Sequence, residues 1–251
     1  MDQLSKDRLL IRLEETESTN NYLKKLVREQ HPPEGSMVIT NFQSQGRGQQ
    51  GNAWFSPKGK NLLFSFVIYP KKLPAKEQFI ISRMISIAIK SALDQFVDCV
   101  RIKWPNDMYW RDKKIAGILI ENNIQDGMIE SSIIGVGLNL NQDVFPMELP
   151  NPVSLKQITG MDYEPDYLLD IVFREFFVLY REFQKGKISE IEDEYMLDLY
   201  RVNDYYWFED ARGKFQAKIE DVKPSGHLAL RTLDEDETRV YAFKEVHFAE
   251  E

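Results

Sequence analysis

Residues 62–69 read Leu-Leu-Phe-Ser-Phe-Val-Ile-Tyr, a nearly continuous apolar run of strand length. A strand that is apolar at both odd and even positions has no face to give to water, so it must be covered on both sides. The chain therefore needs a sheet with layers packed on it. Residues 75–96 supply one such layer: Ile80, Met84, Ile87, Ile89, Leu93 and Phe96 predict a long helix with a broad buried face lying across the sheet. A length of 251 residues suits one large domain or one plus a small one. The 43% hydrophobic and 12% aromatic content belongs to globular proteins and excludes disordered, collagenous and disulfide-scaffold classes.

The remaining elements follow from period and punctuation. Ser18 or Thr19 caps a helix within 14–27 that places Tyr22, Leu23, Leu26 and Val27 on one face. A short strand over 37–40 follows the Gly35 turn. From residue 99 the period becomes that of strands, over 100–102, 108–110, 115–121 and 128–140, with turns at 112–114 and at Gln125-Asp126-Gly127. Helices are predicted over 165–184 and 188–200. Beyond Arg201, short alternating segments around Phe215, Ile219, 228–230 and 240–243 predict a small antiparallel barrel, with the acidic run 234–237 as a solvated hairpin tip. The expected domains are residues 1–202 and 203–251.

Charge narrows the partners. Forty acidic against 32 basic residues leave a net charge of -8, the wrong sign for a broad nucleic-acid or anionic-membrane surface, so any anion site must be local. Neither DNA nor membrane is expected as a partner. Residues 1–10, with Asp2, Lys6, Asp7 and Arg8, lack the apolar core of a secretory signal, and Arg83 and Lys90 interrupt the longest greasy stretch. The single Cys99 cannot form an internal disulfide and reads as a small buried residue in a reducing cytosol. A cytoplasmic location is the expectation.

Four segments carry candidate chemistry. Gly46-Arg47-Gly48-Gln49-Gln50-Gly51 matches G-x-G-x-x-G, but 52–57 continue as loop into another strand, whereas a dinucleotide fingerprint must open a helix. What remains is a glycine loop bringing backbone N–H groups near an anion, with Arg47 as a fixed, bidentate cation. Lys103-Trp104-Pro105-Asn106-Asp107 offers an amide and a carboxylate on a stiff turn. Seven residues after Asp107, Lys114 opens an apolar strand in which Gly117 admits a close approach. In 135–141, Gly135 and Gly137 thin a buried strand, and the inward amide of Asn139 suits a nucleobase edge. Ser18-Thr19-Asn20 holds more polar groups than one cap consumes. His31, His227 and His247 are too scattered for a zinc cluster, and neither a P-loop nor a G-x-S-x-G elbow occurs.

Glu17-Ser18-Thr19-Asn20, Gln43 with Gly46-Arg47-Gly48, Trp54, Lys103 to Asp107, Lys114-Ile115-Ala116-Gly117 and Gly137-Leu138-Asn139 stand in the order found in biotin protein ligases, and 241–246 resembles that family's small barrel. The resemblance is to a biotin–[acetyl-CoA-carboxylase] ligase of the monofunctional type. It implies an α+β fold in which a mixed, mostly antiparallel sheet of the class II synthetase kind packs with helices, plus a small SH3-like C-terminal barrel. It also implies a two-step reaction: biotin and ATP give biotinyl-5'-adenylate and pyrophosphate with Mg²⁺ assisting, and a lysine of a biotin carboxyl carrier protein then takes the biotinyl group.

By similarity, Arg47 and Lys114 would be catalytic. Biotin would meet Ser18, Thr19, Asn20, Gln43, Gly46, Arg47, Gly48, Lys114 and Gly117. ATP or the adenylate would meet Arg47, Trp54, Asn106, Asp107, Lys114 and Asn139, with metal ligands unassigned. The 41–55 loop would be a lid ordering on biotin. Gln49 stands where many relatives carry a basic residue, so that residue's role does not carry over. Some relatives bear an N-terminal repressor segment of about 60 residues, whereas the ligase pattern here begins within the first twenty, so no repressor role is expected. An exposed sheet edge could pair two copies. The alternatives are a lipoate or octanoate ligase or transferase on the same architecture, and a noncatalytic RNA- or peptide-binding module.

Overall fold

The computed structural model describes residues 8–250. Residues 1–7, on which part of the signal-peptide reading rests, lie outside the described residues. Seven strands form the main sheet: β1 Leu10–Leu13, β2 Met37–Thr40, β3 Leu62–Ile68, β4 Val100–Lys103, β5 Asp107–Trp110, β6 Lys113–Gln125 and β7 Met128–Leu138. Their order is β1-β2-β3-β7-β6-β5-β4. Only β1 and β2 run parallel.

All seven residues of β3 are buried, as an apolar strand without a wet face requires. Leu62, Phe64, Phe66 and Ile68 enter the large core beneath α2 (Phe79–Leu93) and α4 (Pro165–Gln184). On the opposite face Val67 joins Leu23 and Leu26 of α1 (Thr19–Gln30) in a second, small core. Ser65 sits on that same face, which is how a polar group comes to lie under the start of α1. Two further helices, α3 (Leu155–Thr159) and α5 (Ile188–Leu197), complete the layer arrangement.

Several expectations shift. The first helix begins at Thr19 with Ser18 as its N-cap, one of the two caps expected, but it runs to Gln30, three residues past the segment read from the sequence, and β1 precedes it unannounced. The helix expected over 75–96 divides into a single 3₁₀ turn at Ala75–Glu77 and α2. Cys99 is exposed, with φ 67°, at the bend that feeds β4, so the buried reading is corrected. At the predicted hairpin Asp126 and Gly127 both take positive φ, 51° and 77°, the left-handed pair such a turn needs.

The C-terminal sheet contains β8 Tyr206–Asp210, β9 Gly213–Val222, β10 Leu228–Thr232, β11 Thr238–Tyr241 and β12 Val246–Phe248, ordered β11-β10-β9-β8-β12 and antiparallel throughout. The acidic run forms the β10–β11 turn. Three contacts dock this sheet on the first. Trp104 Nε1 donates to Gly226 O at 2.8 Å, the Phe79 N–H donates to Pro224 O at 3.3 Å, and Arg83 of α2 donates to Val222 O. Gly226 has φ 92°, and a Cβ there would fall 2.7 Å from the Phe79 ring. Among the described residues no helix is long and apolar enough to cross a membrane.

Candidate active site

The floor of the site is the face of the sheet that carries α1. Strand register arranges it in three rows: Leu63, Gly137, Gly117 and Asp107; Ser65, Gly135 and Leu119; Val67, Ile133 and Glu121. The glycines in the first two rows clear space. A Cβ on Gly137 would lie 2.4 Å from the Trp54 indole and one on Gly117 2.9 Å from it, so the ring rests on the two bare backbones. A Cβ on Gly135 would lie 2.1 Å from Asn20 Oδ1.

Above the second row α1 begins. Ser18 is the N-cap by conformation, yet its side chain makes no capping bond. Gln43 takes over that duty: its Oε1 accepts from the Thr19 N–H at 2.8 Å and from the Thr19 hydroxyl at 3.1 Å. The Ser65 hydroxyl donates to Asn20 Oδ1 at 2.6 Å and lies 2.7 Å from Thr19 Oγ1, while Asn20 Nδ2 reaches Leu119 O at 3.2 Å and Glu121 Oε2 at 3.0 Å. A buried polar chain thus connects the loop, the helix start and the sheet.

These parts enclose a cavity of about 370 Å³. Ser18, Thr19, Asn20, Gln43, Arg47, Gly48, Trp54, Asn106, Asp107, Lys114 and Gly117 all line it. Lys114 Nζ pairs with Asp107 Oδ1 at 2.6 Å and stands 5.7 Å from the centre of the Trp54 ring. Arg47 donates to Asn21 Oδ1 and, through Nη2, to Glu121 Oε1 at 3.1 Å. Burial pushes the Glu121 carboxyl up, but hydrogen bonds from Asn20 and Arg47 and the charges of Arg47 and Lys24 outweigh it and hold the group below its usual range. Glu121 stands four residues past Gly117 on β6, about 13 Å along the strand. The two cations therefore share one cavity but occupy different ends of it, each against its own carboxylate. Both were expected to meet biotin and ATP, and here each is engaged by an internal carboxylate.

Three further segments are placed as follows. Gly46 is absent from the cavity lining; it forms the neck of the loop, where its carbonyl accepts from the Trp54 N–H at 2.9 Å and a Cβ would strike Trp54 O at 2.3 Å. The glycine loop is not an open anion cradle either, since the Gly48 N–H is spent on Asn52 O at 2.6 Å and the Asn52 N–H on Gln49 O at 3.3 Å. Asn139 is buried outside the cavity lining, with its amide nitrogen donated to Val153 O at 3.1 Å and Lys114 O at 3.4 Å. These bonds tie the end of β7 to neighbouring chain. Asn106 lines the cavity, but its Nδ2 is likewise held by Ile118 O at 2.7 Å.

Residues from the C-terminal sheet form a wall that sequence reasoning missed: Phe243, Lys244, Val246, His247 and Phe248. Lys103 faces them. Its ammonium donates to Tyr109 Oη at 2.9 Å and lies 4.4 Å from the Tyr109 ring centre and 5.2 Å from that of Phe248. Burial lowers its pKa, with Asp107 partly offsetting that effect. The available signal was the cluster of Phe243, Lys244, His247 and Phe248, which carries no hint of its partner more than a hundred positions earlier.

Replacing Gly137 by Ala is expected to evict the Trp54 ring and to destabilise the fold by about 1–3 kcal/mol. The check is a fluorescence shift in G137A that disappears in a Trp54→Phe background.

A model of the biotin/lipoate A/B protein ligase family matches residues 13–139. Among curated proteins, the bifunctional ligase/repressor BirA of Escherichia coli strain K12 is 38% identical over 125 residues, covering 49% of this chain and 38% of BirA. The biotin–[acetyl-CoA-carboxylase] ligase of Paracoccus denitrificans is 27% identical over 206 residues, covering 77% of this chain and 83% of that protein. The matches span half or less of the length of the BirA relatives. Among solved structures, the Aquifex aeolicus biotin protein ligase in complex with biotin and ATP superposes with a TM-score of 0.79 at 24% identity, covering 96% of this chain and 99% of that one. This likeness shows the fold.

Proposed function

Since the chain belongs to the biotin/lipoate A/B protein ligase family, we propose that it activates biotin with ATP and passes the biotinyl group to a lysine of a biotin carboxyl carrier protein. The observation that carries this reading is one cavity lined both by neutral polar groups, at Thr19, Gln43 and Ser18, and by the ammonium of Lys114. A ureido ring suits the first, and a carboxylate meeting a phosphate suits the second. In the first step a biotin carboxylate oxygen attacks the α-phosphorus of ATP, the bond to the bridging oxygen breaks, and pyrophosphate leaves. In the second the carrier amine attacks the activated carbonyl, AMP leaves with the bonding pair, and the amine gives up a proton.

Two anions must approach in the first step, so a fixed cation that strengthens its contact as charge crowds together lowers the barrier. Lys114 has that role, with Asp107 orienting its ammonium. Trp54 covers the bare floor at Gly117 and Gly137, and the C-terminal wall excludes water from the anhydride. Residues 1–202 would hold the substrates and 203–251 would close the site. Among the described residues no three acidic, His or Cys side chains form a metal cluster. Mg²⁺ would enter with the ATP phosphates as part of that substrate. A pairing of two copies along a sheet edge and a cytosolic setting complete the proposal.

Incubation with biotin, ATP and Mg²⁺ should yield biotinyl-adenylate by mass spectrometry and label an added carrier domain. Neither product forming would defeat the reading. Lipoate adenylate forming in preference to the biotin product would transfer the chain to the lipoate branch of the family.

A further inference from the structure

We infer that Glu121 is the internal counter-ion of Arg47, holding the guanidinium until a substrate anion takes its place, and that it thereby sets the anion affinity and charge selectivity of the site. The inference rests on the ligase reading only for the identity of the anion. Arg47 spends one nitrogen on Asn21 and another on Glu121 Oε1 at 3.1 Å. The other carboxylate oxygen of Glu121 is fixed by Asn20 Nδ2 at 3.0 Å, and Asn20 is itself clamped by Ser65 and by the space above Gly135. The glutamate side chain is 19% exposed and that of the arginine 41%.

Burial and bonding thus make the carboxylate the stationary partner and the arginine the one free to turn. Lys24, 3.6 Å from the same oxygen, remains to compensate Glu121 when Arg47 leaves. A long cation released from a carboxylate at one end of the cavity can meet an incoming anion nearer the other end, where Lys114 waits. An anionic ligand must compete with Glu121 for the guanidinium; a neutral one has nothing to win from that exchange.

The two possible roles of Glu121 predict opposite signs. A residue that merely props up the loop weakens binding when altered, whereas a competing counter-ion strengthens it. Glu121→Gln, which keeps an oxygen for Asn20 but removes the charge, should bind biotin about fivefold tighter by calorimetry. Biotin amide should change by less than about twofold. Glu121→Asp should stay near wild type, and the gain should vanish in an Arg47→Gln background. Equal or weaker biotin binding by a folded E121Q, or an equal gain for the amide, overturns the assignment. Inorganic pyrophosphate titrated in parallel separates the two readings. A wild-type chain that binds no biotin sinks the ligase proposal, while tighter pyrophosphate binding in E121Q still upholds the counter-ion.

Discussion

Lys114→Ala should slow biotinyl-adenylate formation at least about a hundredfold, or about 2.7 kcal/mol of barrier, the scale of losing a charge contact made in the transition state. The prediction is clean because the structural duties of this residue belong to its backbone. The Lys114 N–H donates to Asn151 O at 2.8 Å and its carbonyl accepts from the Val153 N–H at 2.9 Å, and both bonds survive truncation of the side chain. Removal of the ammonium leaves Asp107, whose side chain is 22% exposed and so remains in reach of water. The melting temperature should accordingly change little while the rate collapses. Quenched-flow measurement of pyrophosphate release, set beside thermal unfolding of the same variant, tests both halves. Near-normal turnover would reduce Lys114 to a surface cation.

The second large effect concerns stability. Arg83 lies in the middle of α2 with a side chain 2% exposed, pairs with Glu192 of α5 and donates to Val222 O in the C-terminal sheet. Glu192→Ala strands that guanidinium without its carboxylate and should cost about 3–5 kcal/mol. Arg83→Met removes the buried charge while keeping most of the volume, and the 35% exposed Glu192 can then hydrate. That variant should lose much less, even though Val222 O gives up a donor. Urea unfolding of the two variants and their combination checks the order. If E192A were the milder of the pair, Arg83 would be compensated by something other than Glu192.

Legibility followed the strength of local signals. The helix over 165–184 was read to the residue because Pro165 opens it at a position where a missing N–H costs nothing and a single apolar stripe runs to its end. The apolar run at 62–69 announced its own burial. By contrast β1 has four residues, alternates between half-buried and exposed, and owes its existence to a parallel partner 27 positions away. Helix α3 has five residues and β12 three, too few for any period to emerge.

In the site, residue types were legible but pairings were not. The Lys114–Asp107 contact depends on Asp107 lying opposite Gly117, in a register that shifts between Met108 and Tyr109. The Arg47–Glu121 contact depends on where a loop folds back over the sheet. Asn139 shows the converse hazard. An inward amide in a glycine-thinned strand looks like a ligand reader, and its nitrogen also serves the fold by meeting two carbonyls of the same chain.

The wall formed by 243–248 divides the chamber between two sheets. One side of the chamber comes from a segment whose strand, β12, pairs with β8 and not with the main sheet. A chain cut before residue 243 would keep Lys114, Gln43 and the floor beneath them, yet one side of the chamber would stand open to water.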